Sequence, residues 1–567
     1  MVAIREMGNL SVTKRLQPSM KKNYAAAALL LLLTGFTTPA LCKIYYVATN
    51  GNDANTGIIS SPFLTIQRAQ TSAAAGDTVY IRGGTYVMTT AQVAQYSSIW
   101  AYVTLLNKSG TSGNRIKYWN YPNEKPVFNY ANITPAGYRI HAFQVTGSWI
   151  HLRGIEVVGV QVTITTHTQS ECFENQGSNN IYERLSMHDG KAIGFYLTKG
   201  GNNLILNCDA YNNWDNVSEN GLGGNTDGFG CHPNNDLVGY TNNVFRGCRA
   251  WFNSDDGFDC INAFEAATIE NCWSFYNGYS TSFASLGDGN GFKVGGFGVS
   301  DFSNLPATIP RHVVRSCLAI RNKSAGFYAN HHLGGNNWYN NSAYNNSVNY
   351  NMLNRSADYA SDVPGYSHNL KNNLGWGARS TEYNNLNTST SNVSFNYFTL
   401  SVTVNSSDFL STDQSLLTAA RQSDGSLPVN NFMRLVTSSD LINKGTNVGL
   451  AYTGSAPDLG CFESAVTTRQ AITEPETTNN TPQATGLSVF PNPVKGKTMA
   501  HYVLPRISRV QLSLYDAKGA LLAVLLNREQ DAGSYTYPVG DNYFKAAGMY
   551  FLKLRTNDKT EMVPLVK

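Results

Sequence analysis

The sequence predicts an all-β protein, a right-handed parallel β-helix followed by a small C-terminal β-sandwich. Three observations support this prediction. Glycine (50 residues) and tyrosine (32 residues) are abundant among the 567 residues, together with asparagine, as suits short strands joined by tight turns. Two motifs recur through the middle of the chain without helical periodicity. The last part of the chain alternates apolar and polar residues in strand-length runs.

The first motif reads apolar-x-Asn/Gly/Ser-Cys-x-small-aromatic-x-Asn. Its fourth position is occupied in turn by Cys208, Cys248, Cys272, Cys317, Asn341 and Asn373. An interval of 24 residues separates Cys248 from Cys272, and Cys317 from Asn341. Because each coil of a β-helix lies about 4.8 Å from the next, repeated residues stack in columns, and asparagine amides at the bends hydrogen-bond along the stack. The motif therefore predicts a β-helix with cysteine, aromatic and asparagine columns.

The second motif is Gly-Phe, which ends at Phe195, Phe229, Phe258, Phe292 and Phe327. We expect each phenylalanine to point inward, so that the following residue points outward. Asp259 and Lys293 then occupy one outward column in adjacent coils. We place Asp227, Asp256 and Asn290, two positions before their phenylalanines, at the preceding bend and facing solvent.

The chain starts with a segment typical of an export signal. Two lysines precede the apolar run 25–33, and Thr-Thr-Pro-Ala-Leu-Cys follows at residues 37–42. We assign residues 1–42 to a signal peptide with an upstream extension, and Met20 is the candidate true start. Secretion places the protein outside the cell or on the outer-membrane surface.

Residues 43–466 are assigned to the β-helix. Within them, residues 61–86 predict an amphipathic cap and the first full coil, and residues 456–463 predict a closing strand. Residues 467–486 are rich in Thr, Pro, Gln and Asn and predict a linker. Residues 487–567 form the predicted sandwich.

Two sulfur columns are expected. The four motif cysteines are expected to be free thiols in the core. Cys231 and Cys260 share a second column, and the sequence leaves open whether they are free or form a disulfide.

Candidate metal ligands come from NTDGFG, with Asp227, and from SDDGFD, with Asp255, Asp256 and Asp259. Four carboxylates in neighbouring coils repel one another unless a cation lies among them, and a hard divalent ion with oxygen ligands such as Ca²⁺ suits them. Lys293, in GNGFKVGG, is the candidate catalytic base. The alternative for SDDGFD is a solvated turn or a purely structural calcium site.

These five residues and the β-helix pattern resemble polysaccharide lyase family 9, the calcium-dependent pectate lyases with a lysine base. The resemblance covers roughly residues 43–465 and includes PFLTIQ and AGDTVYIRGGTY. It implies that the four aspartates bind calcium and that Lys293 removes a carbon-bound proton. The implied substrate is polygalacturonate or a related acidic polysaccharide, which is cleaved by β-elimination.

The segment from LSVFPNPVKGK onward resembles the C-terminal sorting domain of type IX secretion substrates. That resemblance implies the type IX secretion machinery as a partner, and a carbohydrate-binding sandwich is the alternative. Charged residues are only 14% of the chain, with a net charge of +4, so no nucleic-acid partner is expected. We expect a monomer.

Two other functions fit parts of the pattern. A polygalacturonase-like β-helix hydrolase also uses Asn-Thr-Asp and Asp-Asp motifs, but the Gly-His-Gly and Arg-Ile-Lys motifs of that family are missing. Hydrolysis also needs an acid and a base carboxylate rather than a lysine and calcium. A non-catalytic surface protein would bind uronate chains without turnover.

Overall fold

A computed structural model describes residues 42–233, 239–298, 305–356 and 361–464 and, with short gaps, residues 487–567. The predicted signal segment up to residue 41 and the predicted linker at residues 467–486 lie outside the described residues. In the described ranges, no helix has the length and apolar character needed to cross a membrane.

The chain winds through three sheets in a fixed order, once per coil, which forms a parallel β-helix. Among the described residues these sheets have 12, 10 and 11 strands. Sheet 1 consists of Ile44–Val47, Thr78–Ile81, Ile116–Asn120, Ile150–Arg153, Ile181–Glu183, Leu204–Leu206, Asn243–Arg246, Ala267–Glu270, Val313–Arg315, Asn337–Tyr339, Asn369–Lys371 and Asn392–Ser394. Sheet 2 consists of Gly84–Val87, Pro126–Asn129, Glu156–Val158, Ser186–His188, Asp209–Tyr211, Arg249–Trp251, Trp273–Phe275, Leu318–Ile320, Ser342–Tyr344 and Leu374–Trp376. Sheet 3 consists of Gln95–Ser97, Trp100–Leu106, Arg139–Val145, Glu171–Asn175, Ile193–Leu197, Phe229–Cys231, Phe258–Asp259, Phe292–Lys293, Ala325–Tyr328, Val348–Asn351 and Thr381–Asn384.

Pairing within these sheets is parallel, except for the antiparallel pair Gln95–Ser97 and Trp100–Leu106. A small antiparallel hairpin, Asn354–Arg355 and Asp362–Val363, lies outside the three sheets.

The Gly-Phe motif forms the predicted inward column of sheet 3. All five phenylalanine side chains are buried. The ring centroids are 4.9 Å apart for Phe229 and Phe258, 4.9 Å for Phe258 and Phe292, and 5.1 Å for Phe292 and Phe327. These distances equal about one coil spacing, so the column fixes the register of the coils that carry the site.

The asparagine column is also confirmed. Asn213, Asn253, Asn277, Asn322 and Asn346 are fully buried. The Nδ2 of each donates to the Oδ1 of the next at 3.0–3.1 Å. The buried amides satisfy one another and the bend backbone, which removes the cost of burying unpaired polar groups.

The cysteine column is buried in the core as expected, and Cys208, Cys248, Cys272 and Cys317 are free thiols. Cys231 and Cys260 are also free. Of the two alternatives left open by the sequence, the structure has the unbonded one.

The predicted cap contains the helix Ile66–Ser72, whose N-cap Thr65 accepts a hydrogen bond from the Arg68 N–H at 3.0 Å. Ile66 and Ala69 are buried against the first coil, so the helix covers apolar side chains at the N-terminal end of the β-helix. Short 3-10 helices lie at Thr90–Gln92, Glu219–Gly221, Ser406–Asp408 and Gln414–Thr418.

The predicted closing strand at residues 456–463 is wrong, because that range forms no strand. Residues 409–462 instead run along the outer face of sheet 2. Leu417, Phe432 and Leu459 pack there in a cluster with the aromatic column that follows the cysteines. That column faces outward from the coil and would be exposed to water, so apolar side chains of the later segment cover it.

The C-terminal residues form the predicted β-sandwich. One antiparallel sheet consists of Ser488–Phe490, Thr498–Leu504 and Gly533–Val539, and the other of Leu521–Gln530, Ser508–Asp516, Met549–Arg555 and Thr560–Val566. Leu512, Leu514, Leu552 and Leu554 are at most 1% exposed in its core.

Candidate active site: an acidic cluster with one lysine

Three consecutive coils of sheet 3 carry the candidate site. Their strands pair Gly230 with Asp259 and Asp259 with Lys293, which confirms the predicted outward column. The glycine before Phe258 is required by close packing, because a Cβ on Gly257 would lie 2.0 Å from Ser274 Oγ. The aspartates beside these strands are therefore held by a tightly packed backbone.

Asp227, Asp256 and Asp259 come together, and one carboxylate oxygen of each lies within 4.8 Å of the others. Backbone N–H groups hold one oxygen of each carboxylate. Asp227 Oδ1 accepts from the Asp256 N–H at 3.0 Å, and Asp259 Oδ1 accepts from the Ile261 N–H at 2.7 Å. Asp256 Oδ1 accepts from the Asn290 N–H at 2.5 Å and from Asn290 Nδ2 at 2.9 Å.

The expectation that Asp227, Asp256 and Asn290 face solvent is wrong. They do lie at the bend before their strands, but their exposures are 3%, 0% and 6%. The bend is covered by neighbours in the outward column, among them the side chain of Lys293. The carboxylates are consequently far less hydrated than surface aspartates.

Asp255 is buried beside the cluster but does not belong to the group of three. Its Oδ1 accepts from the Asp288 N–H at 2.9 Å. Its charge still acts on the cluster, because it is the strongest single source of repulsion on Asp227. The structure thus brings Asp227, Asp256, Asp259 and Lys293 together and leaves Asp255 at their margin.

Lys293 Nζ lies 3.0 Å from Asp256 Oδ2 and 3.1 Å from Asp259 Oδ2. Its side chain is 12% exposed. Burial by itself would lower the pKa of this amine, but attraction to Asp256, Asp259 and the other two aspartates raises the pKa well above its ordinary value. In the absence of another cation, Lys293 is therefore an ammonium ion.

The negative charge of the four carboxylates exceeds the positive charge near them. Burial, followed by mutual repulsion, raises the pKa of Asp227 and of Asp255 well above the ordinary value. Burial is also the main reason that the pKa of Asp256 rises to about 6, although Lys293 opposes the rise. Four carboxylates face one ammonium, which leaves an excess of negative charge in a buried place.

The cluster fits a hard divalent cation. Asp256 Oδ2 is buried and forms an ion pair with Lys293, but it has no hydrogen-bond partner in the part of the chain that the structure describes. Three carboxylates on rigid backbone offer oxygen ligands of the kind that Ca²⁺ prefers. Asp227, Asp256 and Asp259 are the residues that would hold the ion.

His232 is a site residue that the sequence reasoning missed. Its Nε2 is buried, has no hydrogen-bond partner among the described residues and lies 3.9 Å from Asp259 Oδ1. Its ring packs on Tyr196 with centroids 4.8 Å apart, and burial lowers the pKa of the imidazole. The signal was present, since alternation from Phe229 sends both Gly230 and His232 outward on the face that carries Asp259.

Residues 45–374 match the family described as the Pel9A-like right-handed β-helix region, and this range contains the whole acidic cluster. Pectate lyase L of Dickeya chrysanthemi is 33% identical over 442 residues, which cover 76% of this chain and 92% of that protein. Pectate lyase PEL9 of Emericella nidulans is 30% identical over 50% of this chain and 69% of its own length.

Two solved structures are also similar. A rhamnogalacturonan lyase is 48% identical, with a TM-score of 0.68, and the match covers 70% of this chain and 97% of the other. The crystal structure of the pectate lyase Pel9A is 31% identical, with a TM-score of 0.61, over 75% of this chain and 96% of that one. The coil geometry, the matched range and these relatives agree, and the chain belongs to the Pel9A-like right-handed β-helix family.

Proposed function

We propose that this protein is a secreted lyase that cleaves a galacturonate-containing polysaccharide by β-elimination, with Lys293 as the base and Ca²⁺ at the acidic cluster. The observation that carries the proposal is the position of Lys293 Nζ, 3.0–3.1 Å from two carboxylates of a buried acidic cluster. The pectate lyase and rhamnogalacturonan lyase relatives support the reaction class.

The reaction needs a base beside the carbon that carries the uronate carboxylate. Lys293 Nζ takes the proton from that carbon, the electron pair forms a carbon–carbon double bond, and the glycosidic oxygen leaves the neighbouring carbon. The leaving oxygen takes a proton from solvent water, and Lys293 returns the proton that it removed to the solvent, so the products are one unsaturated uronate end and one new hydroxyl end. Backbone-held aspartates fix the amine in one place, which suits it to a single proton transfer.

Bound Ca²⁺ would supply charge that binds the substrate carboxylate, stabilises the enolate-like transition state and offsets the attraction that keeps Lys293 protonated. Asp227, Asp256 and Asp259 hold it in this proposal, with Asp255 contributing at the margin. His232 faces the same cluster, with its buried Nε2 3.9 Å from Asp259 Oδ1.

Among uronate polymers, the relatives favour rhamnogalacturonan over polygalacturonate as the better substrate. Identity is 48% to the rhamnogalacturonan lyase and 31–33% to the pectate lyases Pel9A and L. When turnover of both polymers is measured in one assay, we therefore expect rhamnogalacturonan to give the higher kcat/KM.

The secretion route is part of the proposal. The sandwich at residues 487–567 is the proposed sorting domain, residues 467–486 its linker, and residues 1–42 the proposed signal segment. Removing residues 487–567 should leave the protein inside a host that has a type IX system. Export of the shortened chain at the level of the full chain would contradict this assignment.

The deciding assay follows ultraviolet absorbance of the unsaturated end on a panel of acidic polysaccharides, with and without a chelator. The lyase predicts an absorbance increase that the chelator abolishes and added Ca²⁺ restores. A gain of reducing ends without absorbance would indicate a hydrolase. Binding without any product would indicate a non-catalytic surface protein.

A further inference from the structure

A second buried cluster lies on sheet 3, toward the N-terminal end of the β-helix. His141 belongs to the strand Arg139–Val145, and Glu171 and Glu174 belong to the next strand, Glu171–Asn175. The strand register links Glu174 through Tyr196 and Gly230 to Asp259. Three coil spacings, about 14 Å, therefore separate this cluster from the acidic cluster.

The three side chains converge. Each offers one ligand atom, and these atoms all lie within 4.8 Å of one another. The side chains of His141, Glu171 and Glu174 are only 2%, 6% and 6% exposed. Such burial makes an unpaired nitrogen or carboxylate oxygen costly.

The imidazole of His141 has one occupied and one free nitrogen. Nδ1 lies 2.7 Å from Gln144 Oε1 and 2.9 Å from Glu174 Oε2. Both oxygens accept, so Nδ1 carries the proton and shares it between them. Nε2 is buried and has no hydrogen-bond partner within the described ranges. It faces Glu171 Oε1 at 3.8 Å, too far for a hydrogen bond. Glu171 Oε2 is likewise buried without a partner.

This arrangement has the form of a metal-binding histidine. Such a histidine usually donates its other ring N–H to a carboxylate, which fixes the tautomer and aims the free nitrogen at the ion. Here Glu174 is that carboxylate, and it is itself held by Thr198 Oγ1 at 2.7 Å and Gln176 Nε2 at 2.8 Å. The unpaired Nε2 of His141 and the unpaired Oε2 of Glu171 are then the atoms available to bind an ion.

We propose that His141 and Glu171, oriented by Glu174, form a second cation site that takes a divalent transition metal of the Zn²⁺ type. A mixed imidazole and carboxylate donor set suits such ions, whereas Ca²⁺ requires more oxygen ligands than this cluster supplies. The ion would bridge two adjacent coils. The competing account is a cluster neutralised by protons on His141 and Glu171, with the nearby charge of Arg139 contributing.

Zinc binding to the full chain tests the proposal separately from activity. The background variant is Asp256→Asn, which weakens cation binding at the acidic cluster, and isothermal titration with ZnCl₂ is the measurement. We expect one Zn²⁺ per chain in this variant. Adding Glu171→Gln should weaken that binding about 10-fold to 100-fold or more.

The matched control is Glu183→Gln in the same background. Glu183 also pairs with a buried histidine, at 3.0 Å from His151 Nε2, but no third ligand joins that pair among the residues that the structure describes. Zinc affinity should not change in the control. Absence of zinc binding in Asp256→Asn, or equal affinity with and without Glu171→Gln, overturns the proposal.

A second readout covers the case in which the glutamate variant fails to fold. A ligand that binds only the folded state raises the stability of the protein more as its concentration increases. The Tm of Asp256→Asn should therefore increase with the ZnCl₂ concentration, whereas MgCl₂ at the same concentrations should leave it unchanged. No zinc-dependent rise in Tm overturns the proposal, whatever the glutamate variant does. A wild-type chain that binds zinc but forms no unsaturated product on any of the acidic polysaccharides would count against the proposed function alone.

Discussion

Replacing Asn277 with alanine should destabilise the β-helix at the coil next to the acidic cluster. Asn277 Oδ1 accepts two hydrogen bonds from Asn253, from its backbone N–H at 3.2 Å and from Nδ2 at 3.1 Å. Both residues are fully buried. The substitution removes the acceptor of two buried donors.

The magnitude follows from those two donors. A buried donor without an acceptor costs about 1–3 kcal/mol, so the free energy of unfolding should fall by about 2–6 kcal/mol. Asn253 also precedes Ser254, Asp255 and Asp256 in the chain. A displaced Asn253 should therefore also weaken Ca²⁺ binding, because the ligands that follow it would shift.

The assay is urea denaturation followed by tryptophan fluorescence, with Ca²⁺ titration calorimetry on the same samples. Asn107→Ala is the control, since Asn107 is exposed and such surface changes stay within about 0.5 kcal/mol. A loss in Asn277→Ala no larger than that of the control would refute the claim that the asparagine column stabilises the coils.

Two further predictions concern the cluster itself. Asn290→Ala removes the Nδ2 donor to Asp256 Oδ1 and should weaken Ca²⁺ about 10-fold to 100-fold, measured by calorimetry; unchanged affinity would show that this contact does not position Asp256. In protein from which a chelator has removed divalent cations, Asp256 has a pKa of about 6, which is above its value in the unfolded chain. Between these two pKa values the folded state binds a proton that the unfolded state has lost. The proton on Asp256 stabilises the folded state at low pH, and this stabilisation is lost as the pH rises through the folded-state pKa of about 6. The difference in Tm between wild type and Asp256→Asn should therefore change in that window, with wild type losing relative stability; a difference independent of pH would contradict the pKa assignment.

Most of the fold could be predicted from the repeats in the sequence. A residue that recurs once per coil stacks on itself, so Phe258 and Phe292, or Asn253 and Asn277, could be paired directly from their spacing. The same logic aligned Asp259 with Lys293. The spacing of the repeats was enough to predict these contacts, because each contact joins the same position in adjacent coils.

Contacts that do not repeat were not predictable in this way. Residues 409–462 cover the aromatic column of sheet 2, but their sequence does not share the repeat of the coils. The sequence therefore gives no sign of this packing, and the prediction of a strand at residues 456–463 is wrong. Burial of Asp256 depends on side chains from flanking coils. Glu171 and Glu174 lie three residues apart, which strict alternation would place on opposite faces, yet both approach His141.

The most direct test of the account is the activity and Ca²⁺ affinity of Lys293→Ala, beside Lys444→Ala as an exposed-lysine control. If Lys293 is the base, its replacement should reduce formation of the unsaturated product to the detection limit on rhamnogalacturonan and polygalacturonate. Calcium should still bind, because the aspartate ligands remain and lose a competing ammonium. Lys444→Ala should match wild type. Wild-type turnover by Lys293→Ala, with calcium bound, would contradict the account.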